Sequence, residues 1–237
     1  MRLLLSVVDV TEALTAAGAG ADIIDVKDPA AGALGRPAPG IVRAIRAAIP
    51  PGLPVSVAIG DGPWEPREAA SAARAAALEG AVFVKVGLRD TPAAAALDTL
   101  RAARAALPEA ARLIAAGFAD VARAGSPPPG ALPWLAAAAG AHGCLIDTAV
   151  KDGRGLLHWL PGVALVAFVS ACRQRGLLSA LAGSLTPGDL PRVAGVAPDI
   201  VGVRGAACDG DRIQGRISGL RVARLSRALA AAAEARG

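Results

Sequence analysis

The chain has 237 residues, 54% of them hydrophobic, and carries a net charge of +5 with an isoelectric point near 9.8. That is enough apolar sequence for one substantial core, and the length allows one or two domains. The arginines are scattered without a basic run of five or more, and aromatic residues make up only 3%, which excludes a base-stacking nucleic-acid surface.

The first residues, "MRLLLSVVDV", meet charge too soon for a signal peptide, and no later window approaches eighteen uncharged apolar residues. No membrane segment is expected, and a reducing cytoplasm is the expected location. Cys144, Cys172 and Cys208 are odd in number and far apart, with no CxxC or Cys/His cluster to suggest zinc or a disulfide framework. Along the chain, short β-rich runs alternate with alanine-rich helical stretches. Strands are expected over 3–8, 22–26, 54–60, 82–87, 112–117, 144–147, 178–184 and 199–204. Helices are expected over 11–17, 40–48, 66–79, 92–107, 133–140, 160–175, 187–193 and 220–235. Glu65-Pro66, Thr91-Pro92 and Thr186-Pro187 read as helix starts with proline at the first helical position. Eight such pairs make an α/β, single-domain (β/α)8 TIM barrel over residues 1–237. A doubly wound open sheet is the alternative, but no GxGxxG follows the first strand. "GSPPPG" (125–130) reads as a loop within that one domain.

Of the 25 lysines and arginines only three are lysine, at positions 27, 85 and 151. Active sites of such barrels lie at the carboxyl ends of the strands. Asp25 and Lys27 close the second strand, Lys85 lies in the fourth, and Asp147 closes the sixth with Lys151 just beyond it. Asp61 and Asp120 follow the third and fifth. Strand alternation places Asp25 and Lys27 on the face of Ile23, toward the barrel interior, with Ile24 and Val26 facing helices. Val82, Val84 and Val86 take one face of the fourth strand and leave Lys85 on the inner one. The plain alternative is structural pairing of these lysines with the aspartates. Yet a chain that otherwise fills its cationic positions with arginine has a chemical reason to keep lysine. An amine can lose its proton near neutral pH and attack a carbonyl, whereas a guanidinium cannot. Desolvation and neighbouring cations would lower one amine toward a Schiff-base nucleophile, and another could shuttle protons.

The seventh and eighth strands end in "AGS" (182–184) and "VRGA" (203–206). Gly183, Ser184, Arg204 and Gly205 offer backbone approach, a hydroxyl and a guanidinium, as the phosphate site in this part of a barrel needs. Ordinary tight turns, with Arg204 paired to a carboxylate, are the alternative. The basic balance suits a small phosphorylated substrate. Asp61 remains a pocket candidate. Cys208 is a pocket-lining candidate without a visible base, His142 and His158 read as surface or packed residues, and Asp209 and Asp211 lack the remaining ligands of a calcium loop.

The ordered set "ADIIDVKDPAAGALG", "VSVAIGD", "VKVGL", "AAGFAD", "LIDTAVKDG", "ALAGSL" and "DIVGVRGAAC" resembles the (5-formylfuran-3-yl)methyl phosphate synthase family from about Leu3 to Arg216. The resemblance implies a TIM barrel that condenses two glyceraldehyde 3-phosphate molecules to 4-(hydroxymethyl)-2-furancarboxaldehyde phosphate, eliminating phosphate and water, on the way to methanofuran-type one-carbon carriers. It implies Lys27 as the Schiff-base residue, Lys85 as proton acceptor, and functional roles for Asp147 and Lys151. Asp25 joins them as an orienting or proton-relaying carboxylate, and no metal or organic cofactor is required. Two alternatives stay open: another Schiff-base aldolase of phosphorylated aldehydes, and a non-catalytic phosphate-ligand-binding barrel. The alanine-rich outer helices are compatible with a homo-oligomer.

Overall fold

Residues 1–234 are described by the computed structural model, and the eight expected strands pair in chain order. β1 (Arg2–Val7), β2 (Ile23–Val26), β3 (Val55–Ala58), β4 (Phe83–Gly87), β5 (Arg112–Phe118), β6 (Gly143–Asp147), β7 (Leu178–Leu181) and β8 (Ile200–Val203) form a closed parallel barrel. β8 returns to β1 in a register that sets Val201 beside Leu3. The principal helices are α1 (Val10–Gly18), α2 (Ile41–Ala48), α3 (Pro66–Leu78) and α4 (Ala93–Ala106). After β5 come α5 (Val121–Ala124) and α6 (Leu132–Ala138), and after β6 come α7 (Leu156–Trp159) and α8 (Gly162–Gln174). α9 (Leu190–Gly195) follows β7, and a two-residue-strand hairpin, β9 (Cys208–Asp209) and β10 (Arg216–Ile217), precedes α10 (Gly219–Glu234). Ala235, the expected end of the last helix, lies outside the described residues.

The strand alternation sorts the apolar side chains into two layers. Leu3, Leu5, Val7, Ile24, Val26, Val57, Val84 and Val86 face outward and are buried beneath the helices. Their partners there are largely alanines, such as Ala69, Ala72 and Ala73 of α3 and Ala96 and Ala103 of α4. Alanine favours the helix and lets it lie close to its neighbours. Leu4, Ile23, Phe83, Ile114, Leu145 and Ile200 point inward and fill the lower barrel. Each fully buried aliphatic side chain contributes about 1.5–3 kcal/mol. Val82, expected on the outer face, instead packs against this inner group just before β4 begins.

Two departures shape the upper rim. β7 stops at Leu181 rather than running on to Ser184, because Gly183 and Ser184 take φ of +111° and +49° and turn the chain out of the sheet. β8 stops at Val203, and residues 205–217 cross the rim of the barrel mouth past β1, with Arg212 reaching the loop after β2, before α10 begins.

Candidate active site

The barrel interior changes from apolar to polar at Asp25. Its neighbours in register are Ser6 of β1 and Ser56 of β3. The Ser6 hydroxyl donates to Asp25 at 2.8 Å, and Lys85 Nζ lies 2.5 Å from the other carboxylate oxygen. Both charged side chains are almost wholly buried, so neither would stand there without the other.

Lys27 leaves the strand two residues later. Its Nζ donates to the Ala33 carbonyl at 3.0 Å, and among the described residues it forms no ion pair with a carboxylate. That carbonyl comes within reach because the "DVKDPAAGALG" segment folds back on itself, with the Asp28 N–H donating to the Gly35 carbonyl at 2.9 Å. A Cβ at Gly35 would fall 2.0 Å from the Asp28 carbonyl oxygen, so only glycine closes this loop. The third amine, Lys151, lies 2.5 Å from Asp147 and 3.0 Å from the Thr148 hydroxyl.

These surroundings separate the amines. Burial pulls Lys27 down from 10.5 to about 8, with Asp147 and Asp25 resisting and the Lys85 and Lys151 charges adding to the fall. Burial pushes Asp147 upward, but Lys151, Lys27 and the N–H of Thr148 outweigh it and hold the carboxyl at about 2. Lys27 is therefore a lysine with an appreciable neutral fraction near neutral pH, competent to attack a carbonyl carbon.

Two aspartates collected at strand ends prove to brace loops. Asp61, a pocket candidate in sequence, accepts the Ala33 and Leu34 N–H groups at 3.1 and 2.7 Å and holds the loop that carries the Lys27 acceptor. Asp120 accepts from Ala149 and Val150 at 2.7 and 3.0 Å, just before Lys151. Each lysine-bearing loop is thus fixed by a carboxylate from a neighbouring strand end. Cys208 is buried in the outer apolar layer rather than the cavity. His142 accepts the Leu113 N–H, and Asp209 pairs with Arg221.

The opposite wall is made by β7 and β8. Gly183, Ser184, Arg204 and Gly205 all border a cavity of about 380 Å³ shared with Asp25, Lys27, Lys85, Asp147 and Lys151. Gly183 allows a close approach to the β6 loop, since a Cβ there would meet Thr148 N at 3.1 Å. Arg204, expected to grip phosphate, is committed elsewhere. Its Nη1 donates to buried Glu12 at 2.8 Å and to the Ser6 carbonyl at 3.0 Å, while Nε donates to the Arg212 carbonyl at 2.6 Å. The carboxylate partner weighed as its alternative is what the structure has. Sequence reasoning passed over Glu12, Ser6 and Arg212. Glu12 sits three residues after Asp9 with the spacing of a capping box, and it accepts the Val8 N–H rather than that of Asp9, a local bond that hides its second task. Arg212, in the mouth-crossing segment, carries no motif signal. No group of three or more His, Cys, Asp or Glu side chains placed to hold a metal occurs among the described residues.

A (β/α)8 barrel with amines and carboxylates converging at its carboxyl-end mouth has the build of an enzyme. The sequence profile of 4-HFC-P synthase matches residues 3–226, and the chain belongs to that family. A (5-formylfuran-3-yl)methyl phosphate synthase of Methanopyrus kandleri is 43% identical over 234 residues, covering 97% of this chain and 99% of its own. One from Methanothermobacter thermautotrophicus is 42% identical over 221 residues, covering 92% and 94%. Among solved structures, 3-hexulose-6-phosphate synthase from Salmonella typhimurium superposes with a TM-score of 0.69 at 20% identity, covering 98% of this chain and all of that one, a likeness of fold. Among the described residues no helix is long and apolar enough to cross a membrane.

Proposed function

We propose that this protein is a (5-formylfuran-3-yl)methyl phosphate synthase that joins two glyceraldehyde 3-phosphate molecules through a Schiff base on Lys27. The observation that carries the reading is Lys27 itself: a buried amine lowered to about 8, with no ion-paired carboxylate among the described residues, facing a cavity it shares with two lysine–aspartate pairs. Family membership and the names of its relatives support the overall activity.

In this reading the Lys27 amine condenses with the aldehyde of one triose phosphate and releases water. The Lys85–Asp25 pair takes a proton from the adjacent carbon, giving an enamine. The enamine expels phosphate from C3, a proton shift turns the second triose phosphate into its ketone, and C3 of the first unit adds to that carbonyl carbon, with Asp147 and Lys151 relaying protons to the oxygens that leave. Hydrolysis returns Lys27, and cyclisation to the furan leaves one phosphate and two waters as the other products. The final aromatisation makes the sequence irreversible. The furan aldehyde phosphate then feeds a methanofuran-type carrier.

Borohydride trapping tests the reading. Incubation with glyceraldehyde 3-phosphate is expected to leave a reduced adduct on Lys27 by mass spectrometry, while an untreated parallel sample gains near-ultraviolet furan absorbance. An adduct without the chromophore would indicate another Schiff-base aldolase. Neither adduct nor chromophore would leave only a binding barrel, and an adduct on Lys151 would move the nucleophile.

A further inference from the structure

We infer that Arg212, in the segment crossing the barrel mouth, is the guanidinium that anchors a substrate phosphate. The inference rests on the reading of this cavity as a site for phosphorylated aldehydes. Five cations line the cavity: Lys27, Lys85, Lys151, Arg204 and Arg212. Lys85 is paired to Asp25, Lys151 to Asp147 and Arg204 to Glu12. Lys27 and Arg212 are the two that form no ion pair among the described residues. Lys27 can shed its charge, but a guanidinium cannot. Arg212 is half-buried, and its Nη1 and Nη2 donate to the Pro29 and Gly32 carbonyls at 3.0 and 3.3 Å. A guanidinium has five N–H donors, so donors remain for a ligand. A half-buried cation with spare donors and no ion-paired carboxylate among the described residues, with only the more distant charges of Asp147 and Asp61 acting on it, is stabilised further by an incoming anion, and a planar fork suits phosphate.

The same contacts fix where that anion would sit. Arg212 ties the mouth-crossing segment to the loop between Lys27 and Ala33, and its own carbonyl accepts from Arg204. A phosphate held by Arg212 therefore lies between the β8 turn and the Lys27 loop, with Gly183, Ser184 and Gly205 on the same cavity wall. Arg204 holds the anchor's backbone and leaves phosphate to it.

The test compares Arg212→Gln and Arg212→Lys with the unaltered chain. Glutamine keeps a donor for the loop carbonyls and removes the charge; lysine keeps the charge and loses the fork. Inorganic phosphate binding by calorimetry is expected to weaken about tenfold or more in Arg212→Gln and by less in Arg212→Lys. Borohydride trapping on Lys27 then compares glyceraldehyde 3-phosphate with unphosphorylated glyceraldehyde, and the preference for the phosphorylated aldehyde is expected to fall by a similar factor. Phosphate affinity within about twofold of the unaltered chain would overturn the anchor. So would an equal loss with both aldehydes, which assigns Arg212 to loop bracing, or a parent chain that binds no phosphate. If Lys27 traps neither aldehyde, the proposed reaction fails while the phosphate measurements still decide Arg212.

Discussion

On the β2, β4 and β6 side, the cavity is lined by charged side chains carried by strands or the first residues beyond them. Asp25 and Lys85 meet past the intervening β3, and Asp147 meets Lys151 four residues further along the chain. On the β7 and β8 side the strands end early, and the wall consists of turns, two residues at positive φ and a crossing segment held by arginines. The first wall fixes protonation states through burial and paired charges. The second offers backbone and a guanidinium to whatever anion enters. In the proposed reading, the contrast separates a place for chemistry from a place for holding.

The sharpest way to break this division is Lys27→Arg. It retains a cation and removes the amine, so Lys27 adduct formation should vanish and turnover should fall about a thousandfold or more, with inorganic phosphate binding retained. Substantial residual turnover would mean the strand wall supplies only charge. Asp25→Asn comes next. It leaves Lys85 buried without a counter-charge, and we expect a loss of about 3–5 kcal/mol in chemical denaturation together with about 10²–10⁴ in rate. Adding Lys85→Met should restore most of the stability and none of the activity, a split that a purely structural pair would not produce.

A smaller effect runs in the opposite direction. Holding Lys27 at about 8 rather than 10.5 costs the folded state about 3 kcal/mol wherever the amine is charged in both states. That cost is complete below about 8, shrinks as pH rises and is gone above 10.5. Lys27→Met should therefore raise the melting temperature at pH 7 and lose its advantage on titration to alkaline pH. In the unaltered chain the rate of Lys27 trapping should climb as pH rises through about 8. The smallest expected change is on the other wall. Gly183→Ala places a methyl group at φ +111° against Thr148, costing about 1–3 kcal/mol, and should weaken phosphate binding more than it slows trapping of glyceraldehyde.

The strand wall was readable in sequence because alternation and composition act locally. Period two turned Asp25, Lys27 and Lys85 inward, and the scarcity of lysine marked three positions. The barrel followed from eight alternating elements, although α5 and α7, each a single turn, left no periodicity to detect. The holding wall was less legible. Arg204 and Arg212 stand among many arginines, and what distinguishes them is partnership with Glu12, Ser6, Pro29 and Gly32, each 180 residues or more away in the chain. Asp61 and Asp120 looked like cavity groups for the same reason: their backbone partners lie 27 to 30 residues away along the chain.

The contact between Lys27 and the Ala33 carbonyl has a consequence for timing. Releasing Lys85 from Asp25 means separating two buried opposite charges, which costs several kcal/mol, and releasing half-buried Lys151 from Asp147 also breaks an ion pair. Releasing Lys27 means giving up one hydrogen bond to a neutral acceptor, about 1 kcal/mol. A carbonyl oxygen can keep the amine in place but cannot take its proton. Of the three amines, Lys27 is the one tethered by a neutral acceptor, so in the proposed reaction it is the one that reaches an arriving aldehyde at the least cost in broken contacts.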